Sequence, residues 1–157
     1  SFMINNGIGT SARNQVSFTP ADMAANNIVA ISNIDASVGN VFHVTRDTYD
    51  TMKDITDVLG DLSGRNFAIY ALEDFVPEVV QRCRKDDLLA PLLNFLVRSA
   101  DKIGSMQYKR YDNRNYRTFR DMSPFGRKDL PLDDVVMGIY RFMHGRGIIS
   151  GRMSHHA

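Results

Sequence analysis

Two short runs of β-branched and aromatic residues, each trailing an amphipathic helix, constrain this chain most. Val41-Phe42-His43-Val44-Thr45 and Phe67-Ala68-Ile69-Tyr70-Ala71-Leu72 read as strands. Ser17-Phe18-Thr19-Pro20-Ala21-Asp22 opens the first helix: Thr19 is placed to cap, Pro20 to sit at N1, and Asp22 in the first turn. Ala21, Ala24, Ala25, Ile28 and Ile31 then share one face. The second helix is expected to be capped by Asp47 or Thr48, to bury Met52, Ile55, Val58 and Leu59, and to stop at Gly60. Helix, strand, helix, strand brings the two strands within reach of a parallel pair joined by a crossover helix.

Downstream the periods are helical. A stretch from about Asp74 to Arg84 tolerates Pro77 only in its first turn. Leu88, Leu89, Leu92, Leu93, Leu96 and Val97 form the next stripe, with Pro91 near its start. Leu132, Val135, Val136, Ile139 and Phe142 mark a last helix, opened by Pro131 with Asp133 and Asp134 and closed by Gly145 or Gly147. Residues 101–130 show no clear period. The expected class is α+β, mostly helical with a small parallel β pair.

Length and composition narrow the rest. The 157 residues carry 43% hydrophobic residues and a net charge of +1, which excludes disorder. No stretch of 18 apolar residues spans a membrane, and no charged start leads into an apolar signal segment. Residues 1–16 are Asn/Gly/Ser-rich and read as loop, and Ser1-Phe2-Met3 resembles a cloning remnant. The expected layout is a disordered or tag-derived start (1–14), one lobe (15–149) and a tail (150–157). One cysteine, Cys83, excludes an internal disulfide and fits a small buried apolar residue in a reducing, cytoplasmic setting.

Candidate chemistry is sparse. Tyr49 and Lys53 form a Tyr-x-x-x-Lys, the spacing with which short-chain dehydrogenases lower a catalytic phenol's pKa. Only Gly7-Ile8-Gly9 precedes it, with no strand-turn-helix setting for a dinucleotide, so a helix-start aromatic and a solvated lysine are the better reading. His43, His144, His155 and His156 have no metal spacing, and the pairs Asp86-Asp87 and Asp133-Asp134 suit capping. No catalytic, cofactor-binding or metal-ligating residue is therefore assigned. The most unusual segment is 102–128. Lys102, Lys109, Arg110, Arg114, Arg117, Arg120, Arg127 and Lys128 face only Asp112 and Asp121, with Tyr108, Tyr111, Tyr116, Phe119 and Phe125 interleaved. Such a segment suits an acidic protein partner or a phosphate-bearing ligand, suits single-stranded nucleic acid less, and otherwise is a solvated loop whose aromatics pack down.

Several pieces in order resemble the carboxy-terminal, substrate-binding lobe of thioester reductase domains. These are extended short-chain dehydrogenases that end non-ribosomal peptide synthetases, polyketide synthases and carboxylic acid reductases. The pieces are Phe18-Thr19-Pro20-Ala21-Asp22-Met23-Ala24-Ala25 through Ser32, then Val41-Phe42-His43-Val44-Thr45, then Ile69-Tyr70-Ala71-Leu72-Glu73-Asp74-Phe75. Leu88 to Leu96 follow, and Pro131 through Ile149 resemble the closing helix. The resemblance covers about residues 15–149. It implies a chain without the Rossmann core, inactive alone and holding no cofactor of its own, NADPH belonging to the full-length enzyme. The implied function is help in receiving a carrier-bound acyl or peptidyl thioester that is released as an aldehyde or alcohol. The implied partners are a phosphopantetheinylated carrier protein and the missing amino-terminal Rossmann lobe. Arg110, Arg114, Tyr116, Arg117 and Arg120 are the candidate carrier or substrate contacts. A non-catalytic domain docking an acidic partner is the alternative, and a small RNA-binding module the third.

Overall fold

The computed structural model describes residues 1–105 and 110–149. The expectations for Tyr108, Lys109, His155, His156 and the tail lie outside the described residues. In chain order the elements are α1 (Phe2–Asn6), β1 (Ile8–Thr10), β2 (Gln15–Val16), α2 (Ala21–Ser32), a 3-10 turn (Asp35–Ser37), β3 (Asp50–Thr51) and α3 (Met52–Ser63). They continue as β4 (Ala68–Tyr70), α4 (Leu72–Arg82), a 3-10 turn (Ala90–Leu92), α5 (Leu93–Ser105), α6 (Arg114–Met122) and α7 (Leu132–Gly145). The class is α+β, mostly helical with a small parallel pair. Among the described residues no helix is long and apolar enough to cross a membrane.

Residues 15–149, expected as one lobe, fall into two compact units. One holds Ser1–Gln15, Asp50–Tyr108 and Leu132–Ala157, the other Val16–Tyr49 and Lys109–Pro131. In the first unit β1 pairs in parallel with β4, Ile8 opposite Ala68, Gly9 opposite Ile69 and Thr10 opposite Tyr70. The expected strand at 67–72 is there, but its partner is not 41–45, which forms no strand. β1 is three residues long, contains a glycine and sits in a polar stretch, so no alternation betrays it, yet all three residues are buried.

The start of the chain forms a short helix, α1. Phe2, on α1, lies in a core cluster with Ile8, Phe75 and Val79, against which Tyr70, Cys83, Leu89, Leu93 and Leu96 pack. Burying a side chain of this size stabilises by about 1.5–3 kcal/mol. α3 crosses closely over β1. A Cβ on Gly9 would lie 2.3 Å from Thr56 Cγ2, so this strand position excludes any larger residue.

Thr51, not Asp47 or Thr48, caps α3. Its hydroxyl accepts from the Asp54 N–H at 3.2 Å, and Asp54 Oδ2 accepts the Thr51 N–H at 2.7 Å, a reciprocal capping box. These bonds, the Thr51 side chain's first, hold the Asp54 carboxyl below its usual range. The helix runs through Gly60 and ends at Gly64, whose φ of 61° is left-handed. Ile55 and Leu59 are buried as expected, and α7 packs against this helix. α4 begins at Leu72, two residues before the expected start, which leaves Pro77 inside the helix beyond its first turn.

Candidate basic docking face

The second unit is organised by a helix with a polar inner side. α6 occupies the segment that shows no apolar period, because its inward residues are Tyr116, Phe119 and an arginine, Arg120. Tyr116 and Arg120 are buried, at 0% and 2% exposure. Arg120 grips Asp47 with both terminal nitrogens, Nη1 to Oδ1 at 2.9 Å and Nη2 to Oδ2 at 3.0 Å, and gives Nε to Asp121 Oδ1 at 2.9 Å. Its guanidinium also stacks 5.6 Å from the Tyr116 ring centre. The Asp47 bonds push its pKa further up, so it stays charged.

Asn27 on α2 completes this interior. Its Nδ2 donates to Tyr116 Oη at 2.7 Å and to the Arg127 carbonyl at 3.0 Å, and its Oδ1 accepts the Arg127 N–H at 2.8 Å. A buried asparagine explains why the expected inner face of α2 is rotated. The buried residues are Met23, Asn27, Ala30 and Ile31, whereas Ile28 is exposed. Thr19 does not cap this helix. Pro20 occupies the position before it, extended at ψ 136°.

Residues 41–46 pack beside α6 as an irregular strip, not as the expected strand. Their carbonyls are taken by side-chain amides: Asn115 Nδ2 donates to Val41 O at 3.2 Å, and Asn113 Nδ2 to Thr45 O at 3.3 Å and Arg46 O at 2.8 Å. Phe42 meets Phe119 edge-on, ring centres 5.4 Å apart. With those acceptors satisfied locally, no neighbouring strand is required.

These contacts divide the candidate site residues. Tyr116 and Arg120, expected as contacts, are buried interior supports of this unit. Arg110, Arg114 and Arg117 are exposed. Arg114 and Arg117, three apart, share the outer side of α6. Arg114 clasps Asp112, Nε to Oδ2 at 2.9 Å and Nη2 to Oδ2 at 2.7 Å. Arg110 lies over the Tyr49 ring at 5.6 Å. Tyr49 Oη accepts the Tyr111 N–H at 3.1 Å, and the Tyr111 ring stacks on His43 at 5.2 Å. Asp47, Thr48, Tyr49, Arg110, Tyr111, Asp112 and Asn113 line an open cavity of about 420 Å³. Its lining sets one guanidinium and two phenol rings beside two carboxylates, Asp47 and Asp112.

The clasp is measurable. Arg114's hydrogen bonds pull the Asp112 carboxyl down to about 2. In Arg114→Ala it should rise toward its ordinary value without reaching it, since the backbone N–H of residue 114 still donates to Oδ1, as read in a carboxyl-carbon NMR titration. Because the folded pKa is the lower one, the clasp's contribution is complete above the ordinary value and fades as pH falls through about 2. Equal titration in both proteins would show that the pair does not form in solution.

Elsewhere the chemistry is quiet. Tyr49 and Lys53 are not one turn apart on a helix, since α3 starts only at Met52, and Lys53 Nζ pairs with Asp57 at 2.5 Å. Cys83 is half-buried against the first unit's core, and burial, then Asp87, pushes its thiol pKa up, away from nucleophilic use. Among the described residues no three His, Cys, Asp or Glu side chains gather for a metal. The first unit carries a larger open cavity of about 820 Å³, lined among others by Thr56, Asp57, Gly60, Asp61 and Arg65. Comparison of the chain with protein-family models, with curated proteins and with solved structures found no match.

Proposed function

We propose that this chain is the substrate-binding part of an NADPH-dependent reductase that releases a carrier-bound acyl or peptidyl thioester as an aldehyde or alcohol. The carrier protein docks on the exposed basic face of the second unit. The observation that carries the docking is the exposure of Arg110, Arg114 and Arg117, the last two on the outer side of α6. The reductase assignment is supported by the ordered resemblance along residues 15–149. Phosphopantetheine brings a phosphodiester, and carriers commonly present it beside an acidic helix, so fixed guanidinium groups are apt receptors. The same arginines serve the alternative, a non-catalytic domain docking an acidic partner.

Hydride transfer falls to a separate Rossmann lobe in this proposal, because Gly7 and Gly9 serve a helix end and a close helix–strand contact here. Gly7 ends α1 with φ 64°, and Gly9 lies beneath Thr56. Neither lies at the start of a helix long enough to receive a pyrophosphate.

Rim charges govern encounter more than residence. Replacing Arg114 and Arg117 together with alanine should slow association with a holo carrier protein roughly two- to five-fold at low salt and flatten the salt dependence. Stopped-flow fluorescence at two salt concentrations reads both. An unchanged rate and salt slope would reject docking on this face. Tight, salt-sensitive binding of single-stranded RNA lost in the same variant would put the nucleic-acid reading in its place.

A further inference from the structure

We infer that the outer edge of β4 is a dimer contact, filled by β4 of a second copy of this chain in antiparallel pairing about Ile69. This contact belongs to the first unit and is independent of carrier docking. The phase of the β1–β4 ladder fixes which groups face outward. The Ala68 N–H donates to the Gly7 carbonyl at 2.9 Å, and the Tyr70 carbonyl accepts the Ser11 N–H at 2.9 Å. In a parallel pair the intervening residues point the other way, so Phe67 and Ile69 turn their N–H and carbonyl groups away from β1. Among the described residues nothing bonds those groups. Ile69 is 48% exposed, whereas β1 is buried throughout. Natural edges are blunted by a charge, a proline or a bulge. Phe67-Ala68-Ile69-Tyr70-Ala71 has no charge and no proline, and the register with β1 is unbroken. The open cavity of about 820 Å³ lies alongside, lined from α3 by Thr56, Asp57, Gly60 and Asp61 and from the strand by Phe67 and Ile69, and gives a further strand room to enter.

Unpaired main chain calls for an extended main chain, and the sequence of this segment complements itself. Antiparallel pairing about Ile69 sets Ile69 opposite its copy, the two exchanging both hydrogen bonds. Ala68 then faces Tyr70 and Phe67 faces Ala71, a small side chain beside a large one in each case. Arg65, before the strand, falls opposite Glu73 in the first turn of α4, once at each end, and Asp74 falls opposite the uncharged Gly64. Arg65 and Glu73 are both exposed. Arg65 also gives Nη1 to the Ile4 carbonyl at 2.9 Å, one of the five donors a guanidinium carries. In-register parallel pairing would instead set Arg65 against Arg65 and Glu73 against Glu73, so the charges select the antiparallel form. The product is a four-stranded sheet with β1 of each copy outermost, in place of a two-stranded sheet that is marginal by itself.

The test is analytical ultracentrifugation of the purified chain up to millimolar concentration. Wild type should show a concentration-dependent monomer–dimer equilibrium. Ile69→Pro removes the outward N–H at a place where an edge strand tolerates proline, and Ile69→Lys sets two charges on the two-fold axis. Both should be monomeric at every concentration, with the circular dichroism of the wild-type fold. Arg65→Glu and Glu73→Arg should each weaken association roughly ten-fold, because like charges then meet at both ends. An equimolar mixture of these two variants should regain the wild-type affinity, since the mixed dimer restores an opposite pair at each end. Should Ile69→Pro fail to fold, Ile69→Lys and the mixture still decide. A wild-type chain that stays monomeric throughout overturns the proposal. So does a dimer that survives Ile69→Lys, or one whose affinity the mixture does not restore.

Discussion

Tyr116→Ala should lower the stability of the chain by about 3–5 kcal/mol, the cost of emptying a fully buried aromatic site. Tyr116 has no exposed surface, meets Arg120 through its ring and receives Asn27 at its hydroxyl. Truncation opens a cavity, strips the guanidinium of its stacking partner and leaves Asn27 Nδ2 one acceptor short. Tyr116→Phe isolates the last effect and should cost about 1–2 kcal/mol, the price of one orphaned buried donor. Arg117→Ala, one residue along on the outer side, should leave thermal and denaturant unfolding unchanged. Equal destabilisation by Tyr116→Ala and Arg117→Ala would show that the helix is not oriented as described.

Asp47→Ala should be the second severe change, and worse than Arg120→Met. Asp47 is about one-third exposed, so when Arg120 is replaced its carboxylate regains water. The reverse is not true. Arg120 is 2% exposed, and without Asp47 its two terminal nitrogens lose both of these acceptors, Nε alone keeping Asp121. Stranding a buried charge costs roughly 3–5 kcal/mol, and the surviving Asp121 bond brings the expected loss to roughly 2–3 kcal/mol. Arg120→Met, which fills the space with an apolar stem, should cost no more than about 1.5 kcal/mol. Urea unfolding of the two variants decides it. A larger loss in Arg120→Met would mean that the pair is held for its charge on the arginine side only, against the geometry.

What the sequence made legible follows from where apolar period and burial coincide. α3, α4, α5 and α7 carry stripes of Leu, Ile and Val, and each is present close to where it is expected. Sequence reasoning misses α6 because its inner side is Tyr116 and Arg120, and a buried arginine reads as a surface charge until its two carboxylates are brought to it from positions 47 and 121. Asn27 hides the true face of α2 in the same way. Residues 41–45 have every local mark of a strand, and the side chains of Asn113 and Asn115, about seventy residues away, take the carbonyls a neighbouring strand would need. β1 escapes notice for the opposite reason, its three residues being too few for any period. Of the expected contacts, Arg110, Arg114 and Arg117 are at the surface.

Calorimetric titration of the purified protein with three ligands in turn, a holo carrier protein, its apo form and NADPH, decides between carrier recognition and cofactor binding. Saturable binding of the holo carrier, weaker binding of the apo form that lacks the phosphodiester, and no heat with NADPH are the expected results. A stoichiometric NADPH complex, or silence with every acyl and peptidyl carrier tried, would contradict them.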